Sequence, residues 1–526
     1  NEKLETAGAS LGVKEISEMA SLDGVLCLGE IMNYKDLSAE GESRTRDLIN
    51  VCRNAGKNLR IEGHCPGLTG ADLNRFIYEV VDADHTQQTP QSVMEKTELG
   101  MFLELQFKSL TPEVVKTVCD HELYENVALV TDDTMADKLL TGHLNKIIET
   151  AVRAGMPMEK AIYCATWTPS RRMHLDDRGM IAPGKIADFM LLDSLDGIDP
   201  VVVYKKGECV YCKDEEAYGA AEAAACSFPA SFYHTINCRP AEISDFVLKA
   251  EDPDAKWAEV NVMKIGTFGT ATTPVKRRVE VKDGVLDWKS AGLSLAVVFE
   301  RYGKNGNVGY GLVEGALTKP GAVATTWSHD SHNLFVLGTD ENDMKLAQRR
   351  VLELQGAYVV FAGGKSLAEA RLTIGGIVSD QPIEVLGQEL KEVRAAMEGL
   401  GYVNNNVIMS MSTLCLPVSP KLKLTDHGLL TVPGQEHVPL GSSFTARRRF
   451  SPQIVEEPDQ IEIMKDEIRT MKKIIKDGII VTMNAAGDVW DHGYVMFEDT
   501  KILAAGPEEE LEKALQGLTA QGILKA

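Results

Sequence analysis

The sequence predicts an α/β fold in which parallel strands alternate with covering helices. Three observations carry this. Five strand-like segments, near residues 25, 59, 81, 101 and 127, are separated by stretches of helical periodicity. A histidine or carboxylate follows four of them: Glu30, His64, His85 and Asp132. The stretch 59–85, LRIEGHCPGLTGADLNRFIYEVVDADH, reads as strand, helix, strand with a histidine at the end of each strand. In a parallel barrel those ends face the active site. Five segments can make an open sheet; a closed eight-stranded barrel needs three more, and nothing downstream supplies them in order.

The chain has 526 residues, 44% of them apolar, enough for two to four domains with real cores. A net charge of -22 argues against a nucleic-acid or anionic-membrane surface but leaves a small neutral or cationic substrate open. The ten cysteines are scattered, which favours a reducing cytoplasm over a disulfide-built secreted scaffold. No run approaches ~18 apolar residues, so no membrane span is expected.

In chain order, residues 10–19 read as a short helix and 25–28 as a buried strand ending at Gly29-Glu30. Glu30 at that end is either a metal ligand or acid/base, or a solvated turn residue. Residues 39–55 are helical, and 59–61 form a strand leading to Glu62, Gly63 and His64. After Pro66-Gly67, Thr69 caps a helix over Leu73, Phe76, Ile77 and Val80. Residues 81–83 make a short strand before His85. A helix over 90–99, a strand over 101–105 and a helix over 112–120 follow. The strand 127–130 ends in Thr131, Asp132 and Asp133, an acidic pair that is either functional or a helix cap. Residues 138–154 read as one long helix carrying His143, and 158–164 as another.

The next part is β-rich, with strands at 187–192, 201–204 and 209–211. Cys209 and Cys212 form a CxxC, with Cys226, His234 and Cys238 downstream. A zinc or redox site is one reading, but the irregular spacing and the lack of a second CxxC favour unrelated cysteines. From about 240, strands are expected at 246–248, 260–265, 278–281 and 295–299. The run 300–315 is dense in small and polar residues, but it lacks nucleotide-loop spacing and is not read as a nucleotide loop. His329, Asp330 and His332 lie between two apolar runs, as a metal or pocket cluster or as a buried hydrogen-bonded network. Helices over 341–354 and 388–399 flank a strand at 357–361. The charged stretch 442–470 reads as a linker, and the segment from Met471 as a small antiparallel β unit ending in a short charged helix.

Taken together, Glu30, His64, His85 and Asp132 are four borderline-to-hard ligands at one rim, a set suited to Zn, Fe or Mn. Such a metal lowers the pKa of water, and a carboxylate beside it can carry the proton to a leaving group. The reaction class is metal-assisted hydrolysis or hydrolytic deamination.

Several ordered stretches extend this reading: ETAG (5–8), LGEIMNY (28–34), GHCPGLTG (63–70), TDD (131–133), TGH (141–143) and RGMIAPGKIAD (178–188). They continue with ERYGKNGNVG (300–309), SHDSHN (328–333), GGIVSDQP (375–382) and LPVSPKLKLTDHGL (416–429). Over about residues 1–435 the chain resembles the microbial adenine deaminases of the amidohydrolase superfamily. The resemblance implies a metal-dependent (β/α)8 barrel, here incomplete and represented by strands four to eight, with a small β domain and an additional C-terminal α/β domain. The expected divisions are 1–185 for the barrel, 186–235 for the β domain, 236–440 for the C-terminal domain and 441–470 for a linker.

It also implies conversion of adenine and water to hypoxanthine and ammonia, with a pair of Mn or Fe ions or with Zn, in a cytoplasmic homo-oligomer. Carried onto this sequence, Glu30 is the metal-bridging carboxylate, His64 and His85 are ligands, and Asp132 is ligand and proton acceptor. Asp133 helps to orient the site, and His329, Asp330 and His332 are structural or edge the pocket. The departures are a missing H-x-H and following Glu from the first strand, Thr86 where the family has Glu, and Tyr302 where it has His. They keep open another purine or nitrogen heterocycle as substrate, or an inactive fragment. Residues 471–526 resemble the start of a different amidohydrolase, of the cytosine, guanine or S-adenosylhomocysteine deaminase group, and a fused or trimmed chain is the expectation that follows.

Overall fold

The computed structural model describes residues 3–38, 41–194, 197–214, 228–432, 434–441, 472–481, 489–498 and 500–520. Cys226, the stretch 442–470 and the Asn-Ala-Ala-Gly turn at 484–487 lie outside them. The chain forms two compact units. One, here the barrel unit, takes Leu11–Thr134, Gly142–Ala225 and Asp459–Ala526; the other, the sheet unit, takes Asn1–Ser10, Met135–Thr141 and Cys226–Pro458.

The barrel unit opens with five strands: β1 (Cys27–Ile31), β2 (Arg60–Gly63), β3 (Ala83–Asp84), β4 (Phe102–Leu105) and β5 (Val127–Leu129). β1 pairs with β2, and β3 with β4 and β4 with β5, always in parallel. The Asp82 amide donates to the Ile61 carbonyl at 3.4 Å and joins the two groups into one arc in chain order. Helices connect each strand to the next, so the arc is a run of consecutive β/α units that does not close on itself among the described residues. β1 is half-exposed rather than buried, with Ile31 its one buried residue. The helices bury Ile49, Leu73 and Phe76 against Ile61 near the start of the arc, and Val114, Val118, Ile148 and Ala161 against Leu103 and Val127 near its end. Each Val, Leu, Ile or Phe among them contributes roughly 1.5–3 kcal/mol.

Two expected helices differ, each for a local reason. The one expected over 39–55 is Arg44–Arg53, because Ser43 caps it and accepts the Arg46 amide; a separate short helix, Tyr34–Ser38, precedes it. In place of 138–154 there are Ala136–Leu139 and Leu144–Arg153. Gly142 between them has φ +129, a left-handed conformation that ends a helix. In contrast, the helix from Met158 runs on to Arg172.

Three antiparallel strands follow: β6 (Phe189–Leu192), β7 (Pro200–Lys205) and β8 (Glu208–Cys212). Cys209 and Cys212 both lie on β8, and both are free thiols.

The core of the sheet unit is a mixed sheet of nine strands: β9 (Trp257–Ile265), β10 (Thr272–Lys282), β11 (Val285–Leu286), β12 (Leu293–Phe299), β13 (Val308–Glu314), β14 (Ala322–Thr325), β15 (Leu334–Gly338), β16 (Ala357–Ala362) and β17 (Lys365–Arg371). Their order is β11-β10-β9-β13-β12-β15-β14-β16-β17, and only β9 and β13 run parallel. The helix Glu341–Leu354, capped by Asp340, and the helix Ile383–Gly399 pack Met344, Val351, Leu390 and Met397 into the same core. A small hairpin, β18 (Lys421–Thr425), β19 (Gly428–Val432) and β20 (Glu436–His437), completes the unit. Residues 246–248, expected as a strand, form none: Phe246 ends a 3-10 turn over Ile243–Phe246, and Val247 and Leu248 follow it.

The last strands, β21 (Lys472–Val481), β22 (Val489–Glu498) and β23 (Lys501–Pro507), are antiparallel and lead to the helix Leu511–Ala520. They belong to the barrel unit, where they join the strands β6–β8. The Ala187 amide donates to the Thr500 carbonyl at 2.8 Å and the Ile502 amide to the Lys185 carbonyl at 2.7 Å. Phe497 is fully buried, with its ring 5.4 Å from both Phe189 and Tyr204. Among the described residues no helix is long and apolar enough to cross a membrane.

Candidate metal centre

The site is built at the C-terminal ends of the parallel strands. β1 and β2 pair Leu28 with Ile61 and Ile31 with Gly63, so β1 holds one residue more over this span. That bulge falls at Gly29-Glu30, and a bulge re-aims the side chain it carries. β2 ends at Gly63 and His64 follows. An added Cβ at Gly63 would collide with the carbonyl oxygen of Ala83, so glycine is what lets β2 pass this close to β3. His85 follows β3 directly.

These three residues converge. Glu30 Oε2 lies 2.9 Å from His64 Nδ1 and 2.8 Å from His85 Nε2, and the two imidazole nitrogens are 3.1 Å apart. Among the described residues they form the one group of His, Cys, Asp or Glu side chains whose ligand atoms meet within 4.8 Å. Glu30 is 40% exposed, His64 29% and His85 16%, so the cluster opens to solvent on the carboxylate side.

Charge is concentrated here. Burial pushes the Glu30 carboxyl up, but hydrogen bonds and charge from His64 and His85 outweigh it and hold it at about 2. Burial pushes the His85 imidazole down, yet Glu30, then Asp132 and Glu104, carry it up to about 9. Glu104, on β4, stands 4.0 Å from His85 Nδ1. Its own carboxyl is raised to about 7 by burial and by the charge of Glu62. Glu62 in turn accepts from Arg172 Nη2 at 3.0 Å.

Asp132 stands apart from the triad but is tied to it. Its Oδ2 accepts from Gln106 Nε2 at 2.7 Å, and the same amide group donates to the His85 carbonyl at 2.7 Å. Asp132 Oδ1 accepts the Asp133 backbone amide at 2.6 Å, and Asp132 has φ +60. Gln106 and Glu104 were not anticipated from the sequence. The signal was present, since Gln106 follows the end of β4 just as the anticipated residues follow or end theirs.

The cluster at 329–332 lies in the sheet unit and does not converge. His329 Nδ1 is 3.3 Å from Asp330 Oδ1, and the His329 and His332 rings are 5.8 Å apart. Burial, then the charges of His329 and Arg301, lowers the His332 imidazole to about 4. Tyr302 hydroxyl donates to the Ser331 carbonyl at 2.5 Å and fixes the turn.

Two family models match: the amidohydrolase family over residues 46–213 and the adenine deaminase C-terminal domain over residues 269–436. A protein of Oenococcus oeni named adenine deaminase 2 is 45% identical over 443 residues, 84% of this chain and 76% of that protein. The adenine deaminase of a Clostridium perfringens strain is 45% identical over 429 residues, 82% of this chain and 75% of that protein. That of Lactobacillus delbrueckii subsp. bulgaricus is 42% identical over 84% of this chain and 77% of its own length. With relatives of this name 42–45% identical over 82–84% of its length, and both family models matching in order, the chain belongs to the adenine deaminase family of amidohydrolase-type hydrolases.

Proposed function

We propose that the chain deaminates adenine hydrolytically, giving hypoxanthine and ammonia, at the strand ends that carry Glu30, His64 and His85. What supports this most directly is the convergence of those three ligand atoms in a member of this family. One carboxylate and two imidazoles suit Mn, Fe or Zn, and Glu30, His64 and His85 would hold the ion, with Asp132 linked to the His85 segment through Gln106. When bound, such an ion supplies Lewis-acid activation of water near neutral pH. A second ion, as the family resemblance implies, would need ligands beyond the three that converge.

The chain's own groups account for proton handling. Asp132 is held by Gln106 on one oxygen and by the Asp133 amide on the other, which fixes its carboxylate next to the His85 segment. In this role Asp132 takes the proton from the attacking water and delivers it to the departing amine. The new bond joins the water oxygen to the ring carbon that bore the amine, and the carbon–nitrogen bond to that amine breaks. Asp133 acts through its backbone on Asp132.

The test is ammonia release and hypoxanthine formation from adenine by the purified, metal-replete chain. A metal-replete chain that releases no ammonia from adenine sinks the reading. Thr86 favours a second reading, a related nitrogen heterocycle as substrate. Its hydroxyl donates to Asp84 at 2.7 Å, at the place where the resemblance puts a glutamate. Preference for a non-purine in a substrate panel would decide for it.

A further inference from the structure

Behind the two imidazoles lies a closed polar cluster that the reaction scheme leaves unused. Asp84 is fully buried and Lys96 is 2% exposed, with Thr86 and Gln88 also buried. Asp84 is the residue before His85. Its Oδ1 accepts the backbone amide of Cys65, the residue after His64, at 2.9 Å. Its Oδ2 accepts from Lys96 Nζ at 2.7 Å, Thr86 Oγ1 at 2.7 Å and Gln88 Nε2 at 2.6 Å. Gln88 Oε1 accepts from the same Lys96 ammonium at 3.3 Å, and the Gln88 backbone amide donates to Ser109 Oγ at 3.0 Å.

One carboxylate therefore couples both ligand-bearing segments. It is covalently next to His85 and hydrogen-bonded next to His64. A shift of Asp84 moves both rings at once. A charge this deeply buried holds its place only with a full set of partners, and Lys96 supplies the balancing charge. Lys96 sits on the helix Pro90–Glu98, whose start is fixed by the reciprocal cap of Thr89 and Ser92. Thr86 fits this arrangement because its hydroxyl can donate, whereas an ionised glutamate there would set a second negative charge beside Asp84.

We infer that Asp84 and Lys96 are positioning residues that fix the separation of His64 and His85 for a divalent ion, anchored on the helix Pro90–Glu98. The inference rests on the metal reading above.

It is tested by titrating the full chain with Zn(II) and Mn(II), and by the absorption spectrum of its Co(II) form, which reports ligand geometry. Lys96→Met is expected to weaken ion binding by about 10–100-fold and to alter the Co(II) spectrum. Far-ultraviolet circular dichroism checks that the variant is folded. Thr86→Val keeps shape and charge pair and removes one donor; it carries the test if Lys96→Met does not fold, with a loss of about 10-fold expected. Folded variants with wild-type affinity and an unchanged Co(II) spectrum would overturn the inference and leave the metal reading standing. A wild-type chain that binds none of the three ions overturns the metal reading, and the inference with it.

Discussion

The barrel unit and the sheet unit contain the same kinds of side chain and use them differently. In the barrel unit a carboxylate and two imidazoles stand at strand ends, partly open to solvent, with their ligand atoms turned on one point. In the sheet unit two charged groups are folded away and matched to backbone rather than to a shared point. Lys423 is fully buried and donates to the carbonyls of Thr270 and Thr413 at 3.0 and 2.8 Å. Asp343 is buried and accepts the amides of Gly363 and Gly364 at 3.0 and 2.7 Å. Even the H-D-x-H run at 329–332, which on residue type alone is as good a metal motif as any in the chain, spreads its side chains apart. Convergence of ligand atoms, not the presence of ligand residues, separates a site from a scaffold.

The strongest way to break this comparison is at Glu30. Both imidazole nitrogens meet its Oε2, so Glu30→Ala removes the group that the other two share. Loss of the bound ion is expected, with loss of several kcal/mol of transition-state stabilisation, roughly a thousandfold in rate. Elemental analysis of the purified variant and its ammonia release from adenine check this. Stripping the wild-type chain with a chelator should reproduce the loss, and adding the ion back should reverse it only in the wild type. Full metal content in Glu30→Ala would mean that the site lies elsewhere.

A second change probes what the barrel unit needs in order to hold its shape. Phe497 comes from the far end of the chain and fills the space between Phe189 and Tyr204. Phe497→Ala removes a fully buried ring and is expected to cost about 3–5 kcal/mol. Chemical denaturation followed by fluorescence measures it, and a loss below about 1 kcal/mol would show that β21–β23 are not part of this core.

Much of this was legible in the sequence, for reasons that particular residues make plain. Strand positions in the arc were recoverable because short apolar runs alternate with helical periodicity; Thr69, expected as a cap, precedes the helix Gly70–Tyr78 but makes no side-chain cap hydrogen bond, whereas Thr111 caps the helix Pro112–Asp120. The convergence of Glu30, His64 and His85 has a sequence signal, since each ends or follows a short apolar run, although at Glu30 residue type alone leaves a solvated turn residue open. What was hidden depends on contacts distant in sequence. The strand Val308–Glu314 lies in the run 300–315, for which glycine content gives no strand signal; there Gly309 lies against the Thr425 carbonyl and Gly311 against Met263 and Leu424. These glycines serve close packing of the β18–β19 hairpin rather than a turn. Lys96 falls inside the helix expected over 90–99, and only the fold shows its ammonium on Asp84. The place of β21–β23 in the barrel unit was invisible locally, since β6–β8 lie more than 250 residues earlier.

A smaller effect sharpens the account of the sheet unit. Burial pushes the Lys423 ammonium down to about 7, against an opposing pull from Cys415. In the unfolded chain that amine keeps its proton to much higher pH. Between about pH 7 and the ordinary lysine value the unfolded state binds more protons, so stability rises with pH there, by at most about 1.4 kcal/mol per unit. Below pH 7 the burial cost is fully present and constant. Denaturation midpoints of wild type and Lys423→Met between pH 7 and 8.5 should diverge upward for the wild type. Parallel curves would show that the amine is not held as the structure has it.

The least effect is expected where residue type is most tempting. His332→Ala deletes one imidazole of the H-D-x-H run. If convergence is what makes a metal site, metal content should be unchanged, because His329, Asp330 and His332 share no common point. The His332 imidazole is neutral at pH 7, its value lowered to about 4 chiefly by burial, so no charge is lost either. What remains is a packing change beside Arg301 and Tyr302, for which a rate effect of less than about tenfold is expected, the size of ~1.4 kcal/mol. Elemental analysis alongside steady-state rates decides the matter. If His332→Ala lost its ion while Glu30→Ala kept it, the assignment of scaffold and site to the two units would have to be exchanged.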